Sequence, residues 1–191
     1  MASINRLIGL ALATATMLAT PALAQDWQPR KPVEFVVASG AGGGTDQFAR
    51  IIQSIIQKND LMPVSIVVSN KGGGAGTEAF VDGKLAGNDP HKLVFGTNNE
   101  WLLPMVTKAA YAPGDLQPVA AMAMDEFLLW THTNAPYESA ADFVAKAKEG
   151  NMKVGGSQSK DTDQILSKHL EHATGTKFTY IPFKSGGEAA T

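Results

Sequence analysis

Short apolar runs alternate along this chain with stretches of helical period, and each run ends in small or polar residues. Val33-Glu34-Phe35-Val36-Val37 follows a lead-in over residues 27–32 and reads as a buried strand. It runs into Ser39-Gly40-Ala41-Gly42-Gly43-Gly44-Thr45-Asp46. Phe48, Ile51, Ile52, Ile55 and Ile56 then recur at helical spacing, which predicts a helix with Arg50, Gln53, Gln57 and Lys58 outward. Thr45 or Asp46 is its expected N-cap, and Asn59-Asp60 with Pro63 stops it. The pattern repeats: a strand over 64–68, the turn Ser69-Asn70-Lys71-Gly72-Gly73-Gly74-Ala75-Gly76, and a helix over 77–85 carrying Phe80, Val81 and Leu85. A turn at Gly87-Asn88-Asp89-Pro90 leads to a third strand over 92–96, which ends in Thr97-Asn98-Asn99.

Strand-helix-strand-helix-strand is the order of a parallel sheet covered by helices. Right-handed crossovers place the three strand-to-helix loops on one edge, where ligands of open α/β sheets sit. After a loop over 111–117 the pattern resumes. Strands are expected over 119–124 and 127–131, a helix over 139–149 burying Phe143 and Val144, and a strand over 152–155. The polar loop Gly156-Ser157-Gln158-Ser159-Lys160-Asp161 precedes a helix through Ile165, Leu166, His169 and Leu170, and a strand over 177–181 leads into Phe183-Lys184-Ser185-Gly186-Gly187. The expected fold is α/β in two lobes, residues 25–120 and an incomplete 121–191. The closing Glu188-Ala189-Ala190-Thr191 has the look of a helix beginning, so the chain is expected to be a fragment.

The first residues set the compartment. Arg6, an apolar stretch over 7–20 and Ala22-Leu23-Ala24 have the form of a cleaved secretory signal peptide over residues 1–24. The apolar run is too short for a membrane anchor. The chain has no cysteine, so an exported form depends on its hydrophobic core, and 44% hydrophobic residues can supply one. A formal charge of −2 without long blocks of one sign argues against a nucleic-acid partner.

Glycine turns that open helices leave backbone N–H groups free, and such groups cradle anions. The two turns therefore point to a small negatively charged ligand; tight turns that only let helices pack are the plainer alternative. Gly40-Ala41-Gly42-Gly43-Gly44-Thr45 falls short of the dinucleotide fingerprint at Thr45, and neither turn carries the Gly-Lys-Ser/Thr of a phosphate loop. Candidate contacts are Ser39, Gly42, Gly43, Gly44 and Thr45 from the first turn and Asn70, Gly74, Ala75 and Gly76 from the second. Thr97 and Asn98 follow the third strand, and Ser157, Gln158 and Ser159 come from the second lobe. Asp46 and Asp161 would repel an anion and suit capping roles.

Catalytic patterns are weak. Gly155-Gly156-Ser157-Gln158-Ser159 misses the nucleophile elbow at its last position, and His169 and His172 lack a clear third zinc ligand. An exported hydrolase using Ser157 or a His169/His172 metal site is the rival reading. Neither a cofactor nor a metal is expected.

Four segments together are specific: residues 32–37, the turn 41–46, residues 67–76 and residues 180–188. In order and spacing they resemble the substrate-binding proteins of tripartite tricarboxylate transporters, the Bug family of periplasmic receptors. Met152-Lys153-Val154-Gly155-Gly156-Ser157 with Asp163-Gln164-Ile165 is similar to the citrate-type branch. The resemblance implies a type II, Venus-flytrap binding protein, monomeric and periplasmic, that captures a citrate-like or other organic acid and presents it to membrane permease subunits. It also implies ligand contacts from the loops at 39–46, 70–76, 97–99 and 157–159. Ala41 and Gly72-Gly73 stand where the family's turns usually carry proline. A sensor that hands its closed form to a signalling partner is a third possibility.

Overall fold

The computed structural model describes residues 27–191, so the expected signal peptide lies outside the described residues. β1 (Val33–Val37) is the centre of a three-stranded parallel sheet, flanked by β2 (Ile66–Asn70) and β3 (Lys92–Phe95). The register runs from Val33 opposite Ile66 to Val37 opposite Asn70, and from Glu34 opposite Lys92 to Val37 opposite Phe95.

Alternation along β1 assigns each face a helix. Val33, Phe35 and Val37 pack with Ala49, Ile52 and Ile56 of α1 (Gly44–Lys58). Val36 points the other way, into a cluster with Ala79 and Phe80 of α2 (Thr77–Ala86), Leu103 of α3 (Asn99–Val106) and Tyr111. Glu34 shares that face as a charge, and its environment makes this tolerable. Ser69 Oγ donates to it at 2.7 Å, and Lys92 Nζ lies 3.0 Å from it and 2.6 Å from Asp82 of α2. These bonds hold the Glu34 carboxyl below its ordinary range against the cost of burial.

The second half forms a two-stranded parallel sheet of β4 (Met152–Ser157) and β5 (Phe178–Phe183). It is covered by α4 (Ala140–Lys148) and α5 (Thr162–Thr174), with Phe143, Ala147 and Phe178 at its core. A single turn, α6 (Gly186–Ala189), follows β5. No helix among the described residues is long and apolar enough to cross a membrane.

Several expectations are corrected. Gly43, in extended conformation, is the N-cap of α1, and Asp46 occupies the third helical position instead. Ile51 and Ile55 are half exposed, because the sheet takes only the Ala49–Ile52–Ile56 side of the helix. β2 lies two residues later than its apolar run, drawn there by pairing with β1. α3 forms in a stretch to which the sequence pattern assigned no element, with Pro104 inside it. Residues 119–124 and 127–131 form no strand, and Val119, Met122, Met124, Leu128 and Trp130 are largely exposed. Alternating apolar residues do not make a strand without a neighbour to complete the ladder.

Candidate functional site

All five strands are parallel within their sheets, so each sheet delivers its carboxyl-end loops on one side. The two sets of loops meet. Gly40 N donates to Lys184 O at 3.2 Å, Asn98 Nδ2 to Thr162 Oγ1 at 2.6 Å, and Gln158 Nε2 to Ala38 O at 3.4 Å. Asn99 Nδ2 reaches both Ala75 O at 3.3 Å and Gln158 Oε1 at 3.2 Å. Between the second glycine turn and the second sheet lies a cavity of about 290 Å³ lined by Gly72, Ala75, Gln158, Ser159, Phe183 and Lys184, among others.

The glycines that bring these loops together are constrained by close approach. A Cβ on Gly43 would stand 2.7 Å from Ser185 Cβ, and one on Gly72 would stand 2.9 Å from the Ser39 carbonyl carbon. Gly76 needs its left-handed backbone, and a Cβ there would stand 2.9 Å from Ala38 O. These positions fix the spacing between turns as well as their shape.

The backbone amides divide into two groups. Gly42 N donates to Asp46 Oδ2 at 2.8 Å, Gly43 N to Gly40 O at 3.4 Å, and Gly76 N to Gly72 O at 3.3 Å. Those amides stabilise their own turns. The N–H groups of Gly44, Thr45, Gly74 and Ala75 meet no acceptor among the described residues, the condition that an anion cradle requires. Ser39 Oγ reaches only the neighbouring Gly40 O, at 3.4 Å. Thr97 Oγ1 faces Asn99 N at the same separation.

Asn70 is a brace. Its Nδ2 donates to Ser39 O and to Asp46 Oδ1, while its Oδ1 accepts from Arg50. Asp46 is itself buried; burial opposes its charge, but Arg50, Gly42 N and Asn70 outweigh that and hold its carboxyl below the ordinary range.

In the second lobe, Asp161 caps α5, accepting from Thr162 N. Burial, reinforced by the charge of Asp163, raises its carboxyl above the ordinary range. Ser157 Oγ donates to Asp163 at 2.9 Å, and Tyr180 O–H donates to the Ser157 and Gln158 carbonyls. Ser157 Oγ also reaches Asp161 Oδ2 at 3.3 Å, so the hydroxyl is engaged by the head of its own helix. His169 and His172 lie elsewhere, along a groove between α3 and α5 with Leu102, Val106 and Ile165.

Of the expected contacts, Ala75, Gln158 and Ser159 line the cavity; Ser39, Gly42, Gly43, Gly44, Thr45, Asn70, Gly74, Gly76, Thr97, Asn98 and Ser157 are not among its lining residues. The sequence reasoning passed over Phe183, Lys184 and Ser185. The signal was present: 183–187 follows β5 with the same small residues that follow β1 and β2, and so belongs to the same edge.

A family model described as the tripartite tricarboxylate transporter family receptor matches residues 48–191. The chain belongs to that family. As a family member it is 28% identical over 187 residues to a UPF0065 protein from Cupriavidus necator, across 95% of this chain and 57% of the relative. Among solved structures it is similar to a TctC solute binding protein from Polaromonas, with TM-score 0.56 and 28% identity over 85% of this chain and 56% of that one. It is also similar to the structure of an R. palustris protein with adipate, with TM-score 0.71 and 25% identity over 84% of this chain and 54% of that one. The chain thus spans a little over half the length of the relatives it matches. It shares the mixed α/β fold of periplasmic solute-binding proteins, which are binding proteins rather than enzymes.

Proposed function

We propose that this chain is the binding part of a periplasmic receptor that captures a small carboxylate between its two lobes. The observation that carries this is the pairing of two glycine turns whose open amides, at Gly44–Thr45 and Gly74–Ala75, belong to one set of interlocked loops. Neutral donors at helix starts stabilise a carboxylate without a fixed counter-charge. Lys184 lines the cavity as a cation, with Glu188 as an anion on the same wall. The cavity's size suits an aliphatic di- or tricarboxylate, and the adipate held by a structural neighbour supports that class. Capture brings the lobes together, and the closed form is what docks on the membrane permease subunits implied by the family. Export by a cleaved leader over residues 1–24 places the receptor in the periplasm.

Titration calorimetry with adipate, malate, citrate and an aromatic acid tests the reading, with an uncharged diol of similar length as control. Saturable binding of at least one acid and none of the diol is expected. A folded protein that binds no acid in the panel overturns the proposal.

A further inference from the structure

We propose that Gln158 is the latch that holds the lobes together over the cleft, and so a positioning residue for ligand capture. Three observations meet at this residue. First, its backbone has φ of +58°, a left-handed conformation that suits glycine and strains a long side chain. Second, the side chain is buried despite being polar, only 9% exposed. Third, both ends of its carboxamide are spent on the opposite lobe. Nε2 donates to Ala38 O, 120 residues away, and Oε1 accepts from Asn99 Nδ2, 59 residues away.

The strained backbone is held in place from within the second lobe, since Gln158 N donates to Phe183 O at 2.6 Å and Tyr180 O–H donates to Gln158 O. That lobe therefore presents the carboxamide as a fixed prong. Asn99 passes the connection on to Ala75 O, so the prong is tied to the second glycine turn. Separating the lobes would leave three buried polar atoms without partners until water entered. The bonds of 3.2 and 3.4 Å are long, however, as a reversible fastening requires. A further interlobe side-chain bond, Asn98 to Thr162, is exposed and competes with water. Because Gln158 also lines the cavity, the residue that fastens the lobes forms part of the cavity wall.

The test follows the distance between lobes in unliganded protein. The chain has no cysteine, so Lys58→Cys and Lys148→Cys, both exposed, take a pair of spin labels cleanly. The parent is expected to show a short-distance population. Gln158→Gly, which relieves the strain but removes the prong, should raise the open-to-closed ratio about tenfold, as losing two weak hydrogen bonds implies. Gln158→Glu keeps the shape but cannot donate to Ala38 O, and should open the lobes at least as far. Its off-rate for adipate should rise in parallel; this arm alone rests on the carboxylate-receptor reading. Distance distributions in both variants that coincide with the parent's, or a parent with no short-distance population, overturn the latch. A failure of adipate to bind leaves the distance measurement intact and counts only against the receptor reading.

Discussion

Asn70 Nδ2 lies 3.0 Å from Asp46 Oδ1, so the end of the second strand holds the head of the first helix. The same nitrogen reaches Ser39 O at 3.3 Å. One side chain thereby sets the relative position of two turns that are separate in sequence. Asp46→Ala should cost about 1–2 kcal/mol, a figure reduced because its Arg50 partner is half exposed. The pH dependence has a definite sign. The Asp46 carboxyl is held below its ordinary value of 3.8, so its contribution is complete above that pH and is lost as pH falls through the lower folded value. Urea melts between pH 2 and pH 5 should show that acid loss in the parent and less of it in Asp46→Ala.

Asp161 has the opposite sign. Its carboxyl is raised above 3.8 by burial and then by Asp163, so the folded state is weakened as pH rises from 3.8 through the folded value. Asp161→Asn keeps an oxygen to cap α5 and removes the charge. Its thermal midpoint at pH 7 should equal or exceed the parent's, with a flatter pH profile. It should also bind a dianionic acid more tightly, because a negative charge has left the loop that carries Gln158 and Ser159 to the cavity. Scanning calorimetry across pH, followed by an adipate titration, checks both expectations.

Gly43 separates fold from closure. A side chain there meets Ser185 of the other lobe, while the interior of the first sheet lies away from it. Gly43→Leu should retain a cooperative melt and lose at least tenfold in carboxylate affinity, since the loops can no longer approach. Parallel melting and calorimetry would read the two effects independently.

Gly83 shows where local propensity loses to packing. In the middle of α2, Gly→Ala would ordinarily gain about 1 kcal/mol. Here the added Cβ would stand 2.7 Å from Val94 Cγ2 and 3.0 Å from Leu116 Cδ2. Overpacking of that kind costs about 1–3 kcal/mol, and a β-branched valine on a strand gives way poorly. Gly83→Ala should therefore lower the urea midpoint.

Much of the first sheet could be read from local pattern. The apolar run at 33–37 is β1 itself, and topology alone placed the loops after β1, β2 and β3 on one edge. Features that depend on distant partners could not be read this way. β2 extends through Ser69 and Asn70 because their side chains find Glu34 on β1 and Asp46 at the head of α1. Ile51 and Ile55 follow the helical period as well as Ile52 and Ile56 do, yet only the latter pair meets the sheet. α3 is hidden by its proline and its polar start, and the left-handed backbone of Gln158 leaves no trace in composition.

The long reach from Gln158 back to Ala38 also governs when the cleft comes into being. Fastening two points 120 positions apart is expected to follow the formation of both sheets, because such distant closures are entropically costly. An acid present during folding then has nothing complete to grip until the final step. Cargo should accordingly prolong the lifetime of the finished protein by slowing its unfolding, and leave the rate of refolding almost untouched.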